Sequence, residues 1–199
     1  MSGQEESGFQ PEEALKVIHR MVEQTRSDWR SDRFLYLLWG WMVFVSAWTQ
    51  YMLMVWARVS WHGMVWPVGL GIALIGHTVY LWRRGRRRRA RTYVGQFLGH
   101  LWTAFGITLF LLLWCVGQKS GGMRWDIVYP VLILMYGMGT YIAGGALRFR
   151  PLMVGGISNW VLGVVACFLS FDLQLPLLAL AVALSYIAPA YMLKRDHHV

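Results

Sequence analysis

Apolar stretches of membrane-spanning length fill most of this 199-residue sequence. A helix needs about 20 predominantly apolar residues to cross a hydrocarbon core of about 30 Å. Six stretches approach that length, at residues 34–57, 64–82, 93–117, 125–147, 152–171 and 173–193. The hydrophobic share of 56% is also high for a soluble domain of this size. We therefore predict an all-α membrane protein with six transmembrane helices, in a domain of residues 34–193.

An arginine-rich loop, WRRGRRRRAR at 82–91, separates the second and third apolar stretches. Arginine keeps its charge at every ordinary pH, and basic residues in short loops resist transfer across a bilayer during insertion. We therefore predict that this loop is cytoplasmic and contacts anionic lipid headgroups or a protein partner. Its arginines are Arg83, Arg84, Arg86, Arg87, Arg88, Arg89 and Arg91.

The other basic residues follow the same sidedness. Of the 19 Lys and Arg residues, all but Arg58, Lys119 and Arg124 fall in segments on the side of the arginine-rich loop. This bias predicts a multi-pass protein of the bacterial inner membrane, with the N-terminus and the tail 194–199 both in the cytoplasm. It also explains the net charge of +9, so we predict no nucleic-acid partner.

The segment before the first apolar stretch is predicted to contain one cytoplasmic helix. Residues 1–10 are polar, which predicts a disordered tail, and they lack the basic and then apolar pattern of a cleavable signal peptide. Pro11 followed by two glutamates is typical of a helix start, so we predict an amphipathic helix within 11–33, running to about Arg30. Its apolar stripe consists of Leu15, Ile18, Val22 and Trp29.

Two roles suit this amphipathic helix. In the first, it lies in the cytoplasmic membrane interface with Trp29 at headgroup depth. In the second, it packs on the helix of a partner, including a second copy of this chain in a homo-oligomer. The narrow stripe and its flanking basic residues favour the membrane surface.

The second, fourth and sixth apolar stretches share a spacing. Each has a proline near one end and a basic residue 16 or 18 positions later. The pairs are Pro67 and Arg83, Pro130 and Arg148, and Pro176 and Lys194. This spacing predicts three repeated helical hairpins in the same orientation. The alternative is that proline suits the first turn of any helix.

The repeat predicts a layer of polar residues in the half of the bundle nearer the arginine-rich loop. A polar side chain stands ten residues after each of the three prolines, and two more occupy the odd-numbered stretches. The candidate pocket residues are His77, His100, Thr140, Asn159 and Tyr186. Polar groups within hydrocarbon are costly unless they are paired or face a cavity, so these residues are predicted to converge.

The residue types limit the chemistry of such a pocket. Two histidines on neighbouring helices could ligate haem from both faces, but histidines hydrogen-bonded to Thr, Tyr or backbone are the simpler reading, and we predict no cofactor and no metal. Every acidic residue lies at or beyond the end of a stretch, which disfavours proton-coupled or sodium-coupled transport. The motifs HExxH, GxSxG and the Walker loop are absent, so we predict no enzyme and no catalytic residue.

The segments EALKVIHRMVEQTRSDWRSDRFLYLLWGWMVF and RFRPLMVGGISNWVLGVV resemble an uncharacterised family of small bacterial inner-membrane proteins with a short cytoplasmic helix before six spans. The resemblance implies no activity that can be assigned to residues, and it implies a sensory or regulatory role. The predicted function is a non-enzymatic scaffold or regulatory component that engages a partner or anionic lipid at the cytoplasmic face. The alternative is a small-solute facilitator or transporter that uses the polar pocket.

Overall fold

A computed structural model describes residues 11–85, 93–119 and 122–192, with side chains from residue 33 onward except those of residues 84 and 85. Every regular element in these ranges is helical, which confirms the predicted all-α class. The elements are α1 (Pro11–Val55), a 3-10 turn (His62–Met64), α2 (Val65–Gly85), α3 (Tyr93–Lys119), α4 (Trp125–Ala146), α5 (Arg150–Ala166), α6 (Phe171–Val182), a π-helical segment (Ala183–Ile187) and α7 (Ala188–Met192). The two predicted tails, 1–10 and 194–199, lie outside the described residues.

Four helical stretches in the described part of the chain are long and apolar enough to cross a membrane. They are His62–Arg83, Tyr93–Lys119, Trp125–Ala146 and Phe171–Met192, and they coincide with four of the six predicted spans. α5 falls short with 17 residues. In α1, interspersed Trp, Ser, Thr and Gln residues lower the hydropathy between residues 39 and 50.

α2 and α3 lie at the periphery of the bundle and present apolar side chains outward. Ile72, Ile75 and Phe110 have exposed fractions of 65%, 68% and 65%. Continuous apolar surface of this kind is unusual on soluble monomers, because water in contact with it is unfavourable. A bilayer as the surrounding solvent removes that cost, so the four apolar helices fit an integral membrane protein.

α4 and α6 form the centre of the bundle. The largest of their buried side chains include Tyr129 and Ile133 of α4 with Leu175 and Leu178 of α6, each at most 2% exposed. α1 and α5 flank this pair, while α2 packs against α1 and α3 packs against α4. The core is therefore built from α1, α4, α5 and α6.

α1 runs antiparallel along α2. Phe34 stacks on Tyr80 at one end, with ring centroids 5.0 Å apart. Gln50 bonds to Trp66 at the other end. Residue numbers thus rise on α1 as they fall on α2, and the second half of α1 lies beside the candidate span α2.

α5 runs antiparallel along α4 in the same way. A Cβ built on Gly144 would meet Met153 at 2.7 Å, and one built on Gly163 would meet Leu134 at 2.6 Å. The two helices are joined by the short loop 147–149. α5 therefore lies beside most of the length of the candidate span α4, although its own sequence is short for a span.

The contact between α4 and α5 depends on glycine at its midpoint. A Cβ on Gly137 would lie 2.9 Å from the Gly156 carbonyl oxygen and 2.5 Å from Trp160 Cδ1. A Cβ on Gly156 would lie 2.8 Å from the Gly137 carbonyl oxygen. Small residues permit this backbone approach, which supplies dispersion contacts where lipid gives no hydrophobic driving force.

α1 does not end near Arg30, so the sequence prediction of a separate amphipathic helix is wrong at its C-terminal boundary. The helix continues without a break through residues 31–33 to Val55. Those residues include no proline or glycine that would end a helix. At 1.5 Å per residue the 45 residues measure about 68 Å, which exceeds the roughly 30 Å of a hydrocarbon core.

The last helix is widened by a π-helical segment before Pro189. The Ala188 N–H bonds to the Ala183 carbonyl, five residues earlier, instead of four. Proline has no N–H and its ring clashes with the preceding turn of a regular α-helix, which favours such a local adjustment. α5 packs closely here, since a Cβ on Gly155 would lie 2.7 Å from Ser185 Cα.

The threefold hairpin repeat stays a prediction. The helices that it pairs do contact one another: α1 with α2, α3 with α4, and α5 with α6. However, α4 also packs along α5 and α1 packs along α6, and the repeat does not predict these two contacts.

Candidate functional site

A polar cluster of Gln50, His62, Trp66 and Tyr129, called the Gln50 cluster below, joins α1, the 3-10 turn, α2 and α4. Gln50 is 2% exposed. Its Oε1 accepts a short hydrogen bond from Trp66 Nε1 and a second bond, of 2.8 Å, from the Tyr129 hydroxyl. Its Nε2 lies 3.1 Å from His62 Nδ1. The cluster lies at the opposite end of α2 from Arg83.

Asn159 and Ser185 form a second buried polar pair, between α5 and the π-helical segment. Both are fully buried. Asn159 Nδ2 donates to Ser185 Oγ at 3.0 Å, and that hydroxyl donates to the Ala181 carbonyl at 2.8 Å. Asn159 Oδ1 is buried without a hydrogen-bond partner. An unpaired buried oxygen of this kind costs about 1–3 kcal/mol.

An aromatic cluster fills the space between α1, α3, α4 and the π-helical segment. Tyr186 is its centre, with ring centroids 5.8 Å from Tyr36, 5.7 Å from Trp102 and 5.5 Å from Tyr136. Phe105 completes it, 5.0 Å from Tyr136. Edge-on and tilted pairs at these distances are favourable beyond the area they bury. This part of the interior is packed with rings.

The two predicted pocket histidines are apart. His77 on α2 is half-buried, and its Nδ1 accepts a 3.0 Å hydrogen bond from Trp39 Nε1. His100 on α3 is exposed, and its Nδ1 lies 2.8 Å from the carbonyl of Gln96 in its own helix. In their described parts, α2 and α3 do not come within 8 Å of each other between Cα atoms. The structure therefore does not bring the two rings together for a shared ligand.

The other three predicted pocket residues are buried on the central helices. The Thr140 hydroxyl forms a hydrogen bond within its own helix, donating to the Tyr136 carbonyl at 2.7 Å. Tyr186 belongs to the aromatic cluster, and Asn159 belongs to the pair described above. The structure thus places these residues in separate contacts, and no hydrogen bond among the described residues links one of them to another.

The predicted cytoplasmic contact residues lie mostly outside the described side chains. Arg83 is described and exposed. The side chains of the other six arginines, Arg84, Arg86, Arg87, Arg88, Arg89 and Arg91, lie outside, as do those of Leu15, Ile18, Val22 and Trp29. At the same end of the bundle, the Arg33 guanidinium lies 5.3 Å from the centre of the Tyr191 ring, in a cation–π contact.

The two cysteines are free thiols, Cys115 on α3 and Cys167 after α5, and both are exposed. Among the residues that the structure describes, no group of three or more His, Cys, Asp or Glu side chains could hold a metal ion.

The sequence analysis missed two buried glutamines, Gln50 and Gln174. Both stand inside or at the edge of apolar stretches, where an uncharged amide attracts less attention than a charge or a histidine. The available signal was the high cost of an amide in hydrocarbon, which requires partners. Their partners could not be read from the sequence, since Tyr129 is 79 positions from Gln50.

Comparisons with models of protein families, with curated proteins and with solved structures found no match.

Proposed function

We propose that this chain is a bacterial inner-membrane protein that crosses the bilayer six times, with both termini in the cytoplasm. The antiparallel packing of α1 on α2 and of α5 on α4 supports six crossings, because each of these helices runs beside a candidate span. The concentration of arginine between α2 and α3 supports the orientation.

Within that membrane the protein acts as a non-enzymatic scaffold or regulatory component. The observation that carries this proposal is the continuity of α1, which joins the bundle core to residue 11 without a break. Because Phe34 already packs beside Tyr80 near the end of α2 and Arg33 contacts Tyr191 of α7, the earlier part of α1 extends beyond the bundle. A helix that projects in this way suits a protein partner better than it suits the membrane surface, where a helix must bend to lie flat.

The arginine-rich loop supplies the second contact at the same face. It lies at the end of α2 to which α1 projects, and its seven arginines are close in sequence. Each basic residue near an anionic membrane surface contributes about 1 kcal/mol of attraction. This attraction decays with distance from the surface, because salt screens it. The loop therefore holds anionic lipid beside the projecting helix, and a partner bound there is held against the membrane.

Deletion of residues 11–30 from the tagged full chain tests the partner proposal. We expect co-purification in mild detergent to recover a defined protein, or a second copy of this chain carrying another tag, with the intact chain only. Deletion of residues 2–10 is the matched control and should keep the partner. The same proteins recovered with and without residues 11–30 would count against the proposal.

Replacement of the arginines at 86–89 by glutamine tests the lipid contact separately. The expected result is a loss of co-purified phosphatidylglycerol and cardiolipin, measured by mass spectrometry of the extracted lipids. An unchanged amount of anionic lipid would show that these arginines do not hold the lipid.

A small-solute facilitator is the second candidate, favoured by the unpaired Oδ1 of Asn159. Such an oxygen inside a bundle can bind a solute donor during passage. Proteoliposomes that take up a solute, and lose uptake on Asn159→Leu, would support this function over the scaffold. Uptake by Asn159→Leu equal to that of the wild type would show that transport does not depend on this residue.

A further inference from the structure

The amide of Gln50 can adopt only one orientation. The indole Nε1 of Trp66 carries a hydrogen and has no lone pair available, so it only donates. It points at Gln50 Oε1, which must therefore be the oxygen and not the nitrogen of the amide. The Tyr129 hydroxyl, 2.8 Å from the same oxygen, donates as well.

This orientation fixes the charge state of His62. Gln50 Nε2 only donates, and it faces His62 Nδ1 at 3.1 Å. Nδ1 must then be an acceptor, which requires a neutral ring with its hydrogen on Nε2. In a protonated ring Nδ1 also carries a hydrogen, so the His62 Nδ1–H would face the N–H of Gln50 Nε2.

Rotation of the amide cannot relieve this conflict. A flipped Gln50 would offer its oxygen to the protonated ring, but its NH2 group would then face the N–H of Trp66. Gln50 is 2% exposed, so water cannot replace the lost partner. Two donors would face each other in either orientation.

We propose that the Gln50 cluster is a proton-controlled latch, closed when His62 is neutral and opened when His62 binds a proton. The closed latch ties α1, α4 and the start of α2 to the turn that carries His62. His62 is only half-buried, so a proton from the aqueous side can reach it. The latch is independent of the scaffold role and would regulate a facilitator equally well.

The acid–base groups around His62 do not offer a competing partner. The turn packs against α1 and α2, and the cluster adds α4. The titratable and charged groups at this end, on the elements of the cluster and the loops beside them, are Tyr51 of α1, Arg58 of the loop after α1, Arg124 before α4, and Asp126 and Tyr129 of α4. Lys119 of α3 and Asp172 of α6 belong to helices against which the turn does not pack. The Asp126 carboxylate is held by Arg124 at 2.7 and 3.0 Å, and this bond raises the pKa of Arg124. Among the described residues, no carboxylate is hydrogen-bonded to His62.

Thermal unfolding of the purified full chain in detergent, measured from pH 8 to pH 5, tests the latch. Asparagine carries an oxygen near the position of Nδ1 and does not titrate, so His62→Asn keeps the acceptor and removes the switch. We expect the wild-type midpoint to fall on acidification by about 2–4 °C more than that of His62→Asn. His100→Asn is the matched control, because His100 is exposed and its hydrogen bond is to the carbonyl of Gln96 in its own helix, and it should keep the wild-type response.

Trp66→Phe provides the second variant. Without the indole donor the amide can rotate and accept from a protonated ring, so this variant should lose stability at pH 8 yet respond less to acid than the wild type. An acid response of His62→Asn equal to that of the wild type would overturn the latch.

Nitrogen NMR of histidine-labelled wild type gives a readout that needs no variant to be stable. At pH 8 the signal assigned to His62 should report hydrogen on Nε2. Hydrogen on Nδ1 would overturn the proposal.

Discussion

Two glutamine side chains connect helices that are distant in the sequence. Gln50 of α1 contacts the 3-10 turn, α2 and α4 through the Gln50 cluster. Gln174, at the start of α6, contacts α4, the end of α5 and the loop that follows α5. Gln174 Nε2 lies 3.0 Å from the Asp126 carbonyl and 3.2 Å from the carbonyls of Ala166 and Leu169. The Ala166 carbonyl also accepts from the Leu169 N–H, so this amide adds a donor at the end of α5 while it holds the start of α4.

Replacement of Gln174 by methionine tests that connection. Methionine has a similar length but no donor, so the carbonyls of Asp126, Ala166 and Leu169 would lose the donor that Gln174 supplies, and we expect a loss of about 1–3 kcal/mol in the free energy of unfolding. Denaturant titration in detergent micelles measures it. Gln96→Met on exposed α3 is the control and should change stability by less than about 0.5 kcal/mol. Equal stability of Gln174→Met and wild type would mean that these bonds contribute nothing.

At the scale of single residues, the sequence predicted which polar side chains are buried better than it predicted their contacts. Thr140, Asn159 and Tyr186 are all buried, as expected of polar residues in the inner bundle. His100 is not, because α3 packs with only one side against α4 and α1. The apolar stretch 93–117 has no clear apolar periodicity, so the sequence did not reveal which side of α3 faces the bundle.

Helix positions, in contrast, followed closely from the apolar stretches. The predicted stretch 125–147 corresponds to α4 at Trp125–Ala146, and 93–117 corresponds to α3 at Tyr93–Lys119. Hydrocarbon length and turn residues set these bounds, and both are visible in the sequence. The π-helical segment was not predicted, because it depends on the close contact between Gly155 and Ser185 as well as on Pro189.

The α4–α5 pair offers a test at the scale of the helix pair. Gly156→Ala places a methyl group 2.8 Å from the Gly137 carbonyl oxygen, and we expect a destabilisation of about 1–3 kcal/mol from the forced separation. Gly145→Ala is the matched control on α4, since a Cβ there meets nothing within 4 Å. Because alanine favours helix, the control should gain up to about 1 kcal/mol. Denaturant titration measures the free energy of unfolding of both variants. Similar losses in Gly156→Ala and Gly145→Ala would show that the close backbone contact between α4 and α5 is not the cause of the destabilisation.

At the scale of the whole molecule, the number of crossings and their direction are set by two separate physical effects. Hydropathy identifies four candidate spans, and the proposed six crossings add α1 and α5 through their packing beside α2 and α4. In the proposed topology charge sets the direction, since an arginine-rich loop resists translocation whichever helices cross. The two effects can be tested together by locating loops relative to the membrane.

Single cysteines introduced at Ser60, Ala90 and Phe168 locate these loops, in a chain whose own thiols are replaced by Cys115→Ser and Cys167→Ser. An impermeant maleimide applied to intact spheroplasts should label Ser60→Cys and Phe168→Cys and should leave Ala90→Cys unlabelled until the membrane is permeabilised. When the candidate spans α2, α3 and α4 all cross, Ser60 and Phe168 lie on the same side only if α5 crosses as well, because each crossing changes the side. Labelling of one of these two but not the other would show that α5 does not cross. Labelling of Ala90→Cys from outside would instead reverse the orientation, and the projecting N-terminal part of α1 would then lie outside the cell.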